Sequence, residues 1–259
     1  MIRIKSILPT VALIAVTVVG AVGARAALEA EHPPAHHWSQ KGFFGTFDRA
    51  ALQRGFQVYS EVCSACHSLK YVAFRNLTAL GFSKDDVKAI AAQREVEDGP
   101  NDEGDMYMRP ARPSDHFPPP FANDQAARAA NNGALPPDLS LIIKAREDGD
   151  DYIYALLTGF KDEAPEGFHL ADGMNYNPYF PGGQIAMPPP LFEDSVEYAD
   201  GTPATVENMA ADVTTFLAWA AEPTLEARKH LGFKVMAFLL ILAVMMFFVN
   251  RRVWNKLKP

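Results

Sequence analysis

The sequence predicts a mainly α-helical protein with long loops and one C-terminal transmembrane helix, and three observations carry that expectation. Apolar residues recur at helical spacing in two distant segments, "FGTFDRAALQRGFQVYSEVC" and "TVENMAADVTTFLAWAAEP". No convincing run of alternating strands appears, apart from a candidate hairpin in "FEDSVEYADGTPATV", where Asp200-Gly201 marks a turn. The chain closes on an uninterrupted apolar stretch from Val235 to Val249.

The chain begins with Arg3 and Lys5, an apolar run from Ile7 to Gly23, and Ala24 and Ala26 at the positions a signal peptidase requires. Residues 1–26 therefore read as a cleaved signal peptide, with an uncleaved anchor as the alternative, and residues 27–230 as an exported domain. In the first helix, Leu52, Phe56, Tyr59 and Cys63 share one face and Asp48 is a candidate N-cap. The segment "EVEDGPNDEGDMYMRPARPSDHFPPPF" is acidic and then proline-rich, poor core material and good surface. "PDLSLIIKARED" and "DDYIYALLTGF" read as short helices, the second ended by Gly159. The last helix of the domain starts at Thr205, puts Val206, Met209, Val213, Phe216, Leu217 and Ala220 on one face, stops before Pro223, and can cross the first helix.

From Val235 to Val249 a helix would span only about 22 Å, short of the roughly 30 Å hydrocarbon slab. Extending it over 231–254, with Lys234, Arg251 and Arg252 snorkelling to the head groups and Trp254 at the interface, supplies the missing length. A buried core helix is the alternative. With export at one end and stop-transfer at the other, the domain faces the periplasm and 255–259 form a cytoplasmic tail. All 31 acidic residues but only 16 of the 24 basic ones lie between Ala27 and Gly232, giving that region a net charge of about −15. Such a surface disfavours nucleic acid and favours a basic partner.

The two cysteines of the chain, Cys63 and Cys66, are followed directly by His67 in "VYSEVCSACHSLKYVAF". In an exported protein this pattern has three uses: a redox couple, half a zinc site, or covalent haem attachment. Zinc would need two more ligands, and His32, His36 and His37 fall in a stretch that reads as a flexible terminus. A thioredoxin-type couple would sit in an alternating βα pattern, which is missing. Histidine immediately after the second cysteine marks c-type haem attachment. Two thiols three positions apart on one turn can form thioethers with the two vinyl groups of one haem edge, and His67 then reaches the iron.

Five methionines outside the two apolar ends could supply a sixth ligand. They are Met106, Met108, Met174, Met187 and Met209; Met209 lies on a helix face and reads as core, and Met106 and Met108 lie in the acidic loop. Met187, in "NPYFPGGQIAMPPPLF", has Pro188 to Pro190 to stiffen the backbone and Gly182 and Gly183 to permit close approach to a flat ligand, although simple packing would explain it too. His/Met ligation would saturate the iron and suit it to electron transfer, whereas an open site would suit a sensor or peroxidase.

These residues carry a wider resemblance. "VCSACHSLKYVAFRNL", "AARAANNGALPPDLSLIIKARE", "DDYIYALLTGF", "YNPYFPGGQIAMPPPL", "DGTPAT" and "DVTTFLAWAAEP" resemble, in order, the blocks of the cytochrome c1 family, the membrane-anchored haem subunits of cytochrome bc1 complexes. The resemblance implies a class I cytochrome c fold, mainly helical, with long loop insertions and a C-terminal transmembrane helix. It implies one covalently bound haem c, attached through Cys63 and Cys66 and ligated by His67 and Met187. Arg146 would lie near a haem propionate, and Asn131, Pro137 and Tyr152 would contribute to the pocket wall. The implied role is electron transfer from a Rieske iron-sulfur protein to a soluble basic cytochrome c, beside a cytochrome b subunit, in a dimeric quinol–cytochrome c reductase of a bacterial inner membrane. No stand-alone catalysis is implied, and a free-standing anchored carrier feeding an oxidase or reaction centre is the alternative. Two departures stand out: the distal loop reads "GGQIAMPPP" rather than Gly-Gln-Ala-Ile-Gly-Met-Ala-Pro-Pro, and with both cysteines assigned to haem none remains for the extra disulfide of some bacterial relatives.

Overall fold

Residues 30–255 are described by a computed structural model; the expected signal peptide and residues 256–259 of the expected tail lie outside the described residues. Helix α1, Arg49–Glu61, starts where expected because the Asp48 carboxylate accepts from the amides of Ala50 and Ala51 at 2.9 and 3.4 Å. It ends at Val62, and a 3₁₀ turn over Cys63–Ala65 follows directly. A second 3₁₀ segment, Phe74–Leu80, leads into α2, Lys84–Ala92, capped by Ser83. Helices α3, Asp124–Ala130, and α4, Gly149–Thr158, precede α5, Val206–Ala221, whose first turn is capped by Thr205. The last helix, α6, runs from Leu225 to Asn255.

Helices α1 and α5 cross at the centre of the domain. Gly55 makes the close approach possible, because a Cβ there would overlap the Asp212 carbonyl and stand 2.8 Å from the Phe216 Cβ. Around the crossing, Phe56 and Tyr59 from α1 each place their ring centroids 5.7 Å from Phe216 of α5, and Phe216 stacks on Trp219. Leu52, Val58, Met209 and Val213 complete a core of fully buried side chains. One polar device sits inside this contact: Arg54 forks onto Asp212 at 2.8 and 3.0 Å and also reaches Asp200 at 2.8 Å.

Four local expectations are corrected. The acidic segment is a two-stranded antiparallel hairpin, β1 (Glu95–Asp98) with β2 (Tyr107–Pro110), paired from Glu95 with Pro110 to Asp98 with Tyr107. Arg109 fastens it, donating to Asp98 and, at 2.6 Å, to Asp115. The candidate hairpin around Asp200-Gly201 is a turn without strands: Val196 and Tyr198 both turn into the core, and Asp194 takes a left-handed φ of 57°. "PDLSLIIKARED" is a series of turns, because Asp138 and Ser140 are tied to residues 68–71. The segment around His36 is docked rather than flexible. Asp151 accepts from the His36 amide at 2.9 Å, the Trp38 indole at 2.6 Å and the Lys41 ammonium at 2.9 Å, and the His36 ring stacks on Tyr154.

Helix α6 begins six residues earlier than the expected span. Its first two turns belong to the domain: Glu226 accepts from the Phe47 amide at 2.8 Å and pairs with Arg49, and the Lys229 ammonium donates to the carbonyls of Gln40 and Gly45 at 2.7 and 2.9 Å. Beyond them no side chain is buried, and the helix is long and apolar enough to cross a membrane by length and composition.

Candidate functional site

Cys63, Cys66 and His67 share one tight turn, closed by the amides of Cys66 and His67 donating to the Cys63 carbonyl at 3.1 and 2.9 Å. The turn is fastened to α1 from two sides. The Tyr59 hydroxyl donates to the His67 carbonyl at 3.1 Å, and the Ser64 hydroxyl donates to the Ser60 carbonyl at 2.8 Å, which Arg94 also reaches at 3.2 Å. Cys66 is exposed and Cys63 half-buried; burial pushes the Cys63 thiol up to about 12, so it is no thiolate at neutral pH.

The His67 Nδ1 lies 2.8 Å from the Pro137 carbonyl. A carbonyl can only accept, so Nδ1 carries the proton and Nε2 keeps its lone pair. Burial moves the imidazole below the ordinary histidine range, against the opposing pull of the Pro137 bond and the Asp138 charge, so the ring is neutral at neutral pH. Asp138 holds this arrangement in place. Its carboxylate accepts from the Ser68 hydroxyl at 2.7 Å and from the amides of Lys70 and Ser140 at 3.0 and 2.9 Å. Burial works against its ionisation, but these bonds outweigh burial and keep it below the usual carboxylate range. Asp138 thus locks residues 68–70 to the chain that presents the Pro137 carbonyl.

The distal loop is built separately. Strands β3 (Asn175–Tyr176) and β4 (Gln184–Ile185) pair in a short hairpin just before Met187. Asn177, fully buried, donates its side-chain amide to the Leu156 carbonyl of α4 at 2.8 Å and accepts from the Tyr179 amide at 3.1 Å, while its own amide donates to the Gly183 carbonyl at 3.0 Å. Gly183 has a φ of 74° and lies so near Phe168 that a Cβ would stand 3.2 Å from that ring. Asn175 donates to the Met187 carbonyl at 3.3 Å, leaving the half-buried Met187 thioether as the end of a fastened loop. Gly159 ends α4 as expected, and its lack of a side chain serves close packing. Its φ is −94°, and a Cβ there would stand 2.5 Å from the ring of Tyr179.

The structure brings Cys63, Cys66, His67 and Pro137 into one cluster. Arg146 is exposed, makes no ion pair among the described residues, and lies beside Tyr152, where its charge opposes the upward push that burial gives the tyrosine hydroxyl. Asn131 is engaged with its own helix, its amide donating to the Ala127 carbonyl at 2.7 Å at the end of α3. Asp138, Asn175 and Asn177 are the positioning residues that sequence reasoning missed. Their only local signals are the Pro-Pro before Asp138 and the Asn-Pro turn at Asn177.

The donor set fits a covalently attached haem: two thiols and a neutral imidazole on one turn, with the imidazole's second nitrogen already committed. Replacing Asn177 with alanine should leave the Leu156 carbonyl and Tyr179 amide unpaired, at about 1–3 kcal/mol each. The expected outcome is a thermal unfolding midpoint lowered by roughly 10 °C; an unchanged midpoint would show that the distal loop does not depend on this bond.

A family model described as the Cytochrome C1 family matches residues 38–257. A protein of Rhodospirillum rubrum named cytochrome c1 is 49% identical over 264 residues, covering 95% of this chain and 97% of its own. The cytochrome b-c1 complex catalytic subunit of Candida albicans mitochondria is 54% identical, covering 88% of this chain and 79% of its own. The cytochrome b/c1 protein of Bradyrhizobium diazoefficiens is 52% identical over 89% of this chain, which spans 37% of that longer protein.

Proposed function

From the premise that this chain belongs to the cytochrome c1 family, we propose that it is the haem-bearing electron-transfer subunit of a cytochrome b–c1 quinol–cytochrome c reductase, anchored in a bacterial inner membrane by α6 with its domain in the periplasm. The observation that carries this reading is the turn holding Cys63, Cys66 and a neutral, oriented His67. Cys63 and Cys66 would hold one haem c through thioethers, and His67 and Met187 would ligate its iron. Arg146 would face a propionate, while Pro137, Tyr152 and Asn131 would contribute to the wall. When bound, the haem supplies a one-electron carrier. The protein's own part is to keep the imidazole neutral by burial and oriented by the Pro137 carbonyl, to fix the thioether by the Asn175 and Asn177 bonds, and to present an acidic docking surface.

The partners follow from that role: a cytochrome b subunit, a Rieske protein as donor, and a soluble basic cytochrome c as acceptor, in a dimeric complex. Asp162, Glu163, Glu166 and Asp172 favour docking beside the distal loop. All four are exposed on the connection between α4 and β3, and none is in an ion pair among the described residues. Lys161 ties this connection to the distal hairpin, its amide donating to the Tyr176 carbonyl at 3.2 Å. Purification from membranes is expected to yield cytochrome b and a Rieske protein as companions, and isolation of the chain alone would point to a free-standing carrier. Carrier reduction by that complex should slow as ionic strength rises; a second-order rate indifferent to salt would count against electrostatic docking.

A further inference from the structure

The outer end of α6 carries a feature that electron transfer does not use. Residues 39–46 form a closed loop, with the Thr46 amide donating to the Ser39 carbonyl at 3.0 Å, and its tip exposes two aromatic rings to solvent. Phe43 is 63% and Phe44 83% exposed, and the two meet edge to face with centroids 4.9 Å apart. The loop is fixed rather than loose, because Lys229 of α6 donates to two of its carbonyls and Glu226 accepts from the Phe47 amide. Between loop and helix lies a groove lined by Phe43, Phe44, Glu226, Lys229, His230 and Phe233. Residues 226, 229, 230 and 233 form one helix face, and the same periodicity carries it on to Met236 and Leu240, exposed at 63% and 68%. The groove thus opens onto the apolar stripe of the helix.

Helix length sets the groove's level. The run from Val235 to Val249 falls about 8 Å, or roughly five residues, short of the hydrocarbon slab. At the far end Asn250, Arg251 and Arg252 follow at once, and extension to Trp254 needs both arginines to snorkel. On the near side Leu231 and Phe233 are apolar and Lys234 is the lone charge, its stem long enough to snorkel. Extension on the side of the globular domain needs only Lys234 to snorkel, so most of the missing length falls there, and the edge of the hydrocarbon comes to lie level with Phe233 and the two loop rings.

We infer that the Phe43–Phe44 loop is a membrane wedge: its rings and the groove they share with Phe233 take an acyl chain of a phospholipid in the leaflet next to the globular domain, fixing the height of that domain above the bilayer. This rests on the reading that α6 spans the membrane. Exposed aromatic rings are stabilised on leaving water, and a ring at the hydrocarbon boundary does so without a protein partner. His230 lines the groove and Lys234 lies one turn of the helix further on, and both suit an anionic head group.

The test is photo-crosslinking in the intact complex, in vesicles of phosphatidylethanolamine and phosphatidylglycerol, with p-benzoylphenylalanine replacing Phe43 or Phe44 and, separately, Phe238 or Phe247 within the span. The conservative aromatic exchange keeps the loop folded. The expected result is peptide adducts heavier by one phospholipid at both loop positions and in the span. Crosslinks from the loop to another polypeptide overturn the wedge in favour of a protein cover, and lipid adducts in the span with none in the loop overturn it in favour of exposure to water. Lipid adducts at none of the four positions overturn the spanning reading and the wedge with it.

Discussion

Replacing Met187 with leucine is expected to lower the reduction potential of the haem protein by at least the order of 0.1 V, since axial ligand identity moves haem potentials over about 0.8 V. Leucine keeps nearly the same volume and replaces the thioether with a branched alkyl group that cannot ligate iron, so the loop held by Asn175, Asn177 and Gly183 stays in place. With the thioether gone, the reduced protein should bind carbon monoxide, which a saturated iron does not. Redox titration and a reduced-plus-carbon-monoxide difference spectrum read the two effects. Met174 supplies the control. It stands beside Asn175, whose amide bonds the Met187 carbonyl, and is 37% exposed, so Met174→Leu should leave both readouts unchanged. If Met174→Leu opened the site and Met187→Leu did not, the ligand assignment would pass from one methionine to the other.

What the sequence made legible was local. Asp48 and Thr205 begin their helices because a cap acts over two or three residues, and Cys63, Cys66 and His67 announce their chemistry within one turn. The partners that make the site work are remote. His67 is oriented by Pro137, and Ser68 is held by Asp138, each seventy residues away; Asp151 gathers its donors from more than a hundred. The hairpin in the acidic segment escaped pattern reading for the same reason. Its strands contain no buried residue and only one branched aliphatic side chain, Val96, so no apolar alternation shows, and what fixes them is Arg109 bridging Asp98 and Asp115. Residues 138–146 have the apolar content of a short helix, yet their backbone and caps are taken up by residues 68–71, so tertiary bonds overrode the local preference.

The same logic makes Arg54 the most stability-critical charged residue. Its guanidinium is the partner of the Asp212 carboxylate, which is 5% exposed within the α1–α5 crossing. Arg54→Leu leaves that carboxylate buried and unpaired, a change worth about 3–5 kcal/mol, or roughly 10 °C in unfolding midpoint for a domain of this size. Asp200, the second partner, is solvent-accessible and still held down by Thr202, so its loss adds little. The penalty should depend on pH with a definite sign. Burial already pushes Asp212 above the usual carboxylate value, with Arg54 as the main opposing influence, and removing Arg54 lets it rise further. A group whose folded pKa lies above its unfolded value contributes stability that is full below the unfolded value and lost as pH rises through the folded one. The deficit of Arg54→Leu should therefore be small below the usual carboxylate range, where Asp212 is protonated folded and unfolded alike, and should grow as pH rises through the raised folded value toward neutrality. Unfolding midpoints of both proteins across that range check it. A double variant, Arg54→Leu with Asp212→Leu, should recover much of the loss and remove the pH dependence; a deficit that persists unchanged from acid to neutral pH would mean that packing around the arginine stem, rather than the stranded carboxylate, sets the cost.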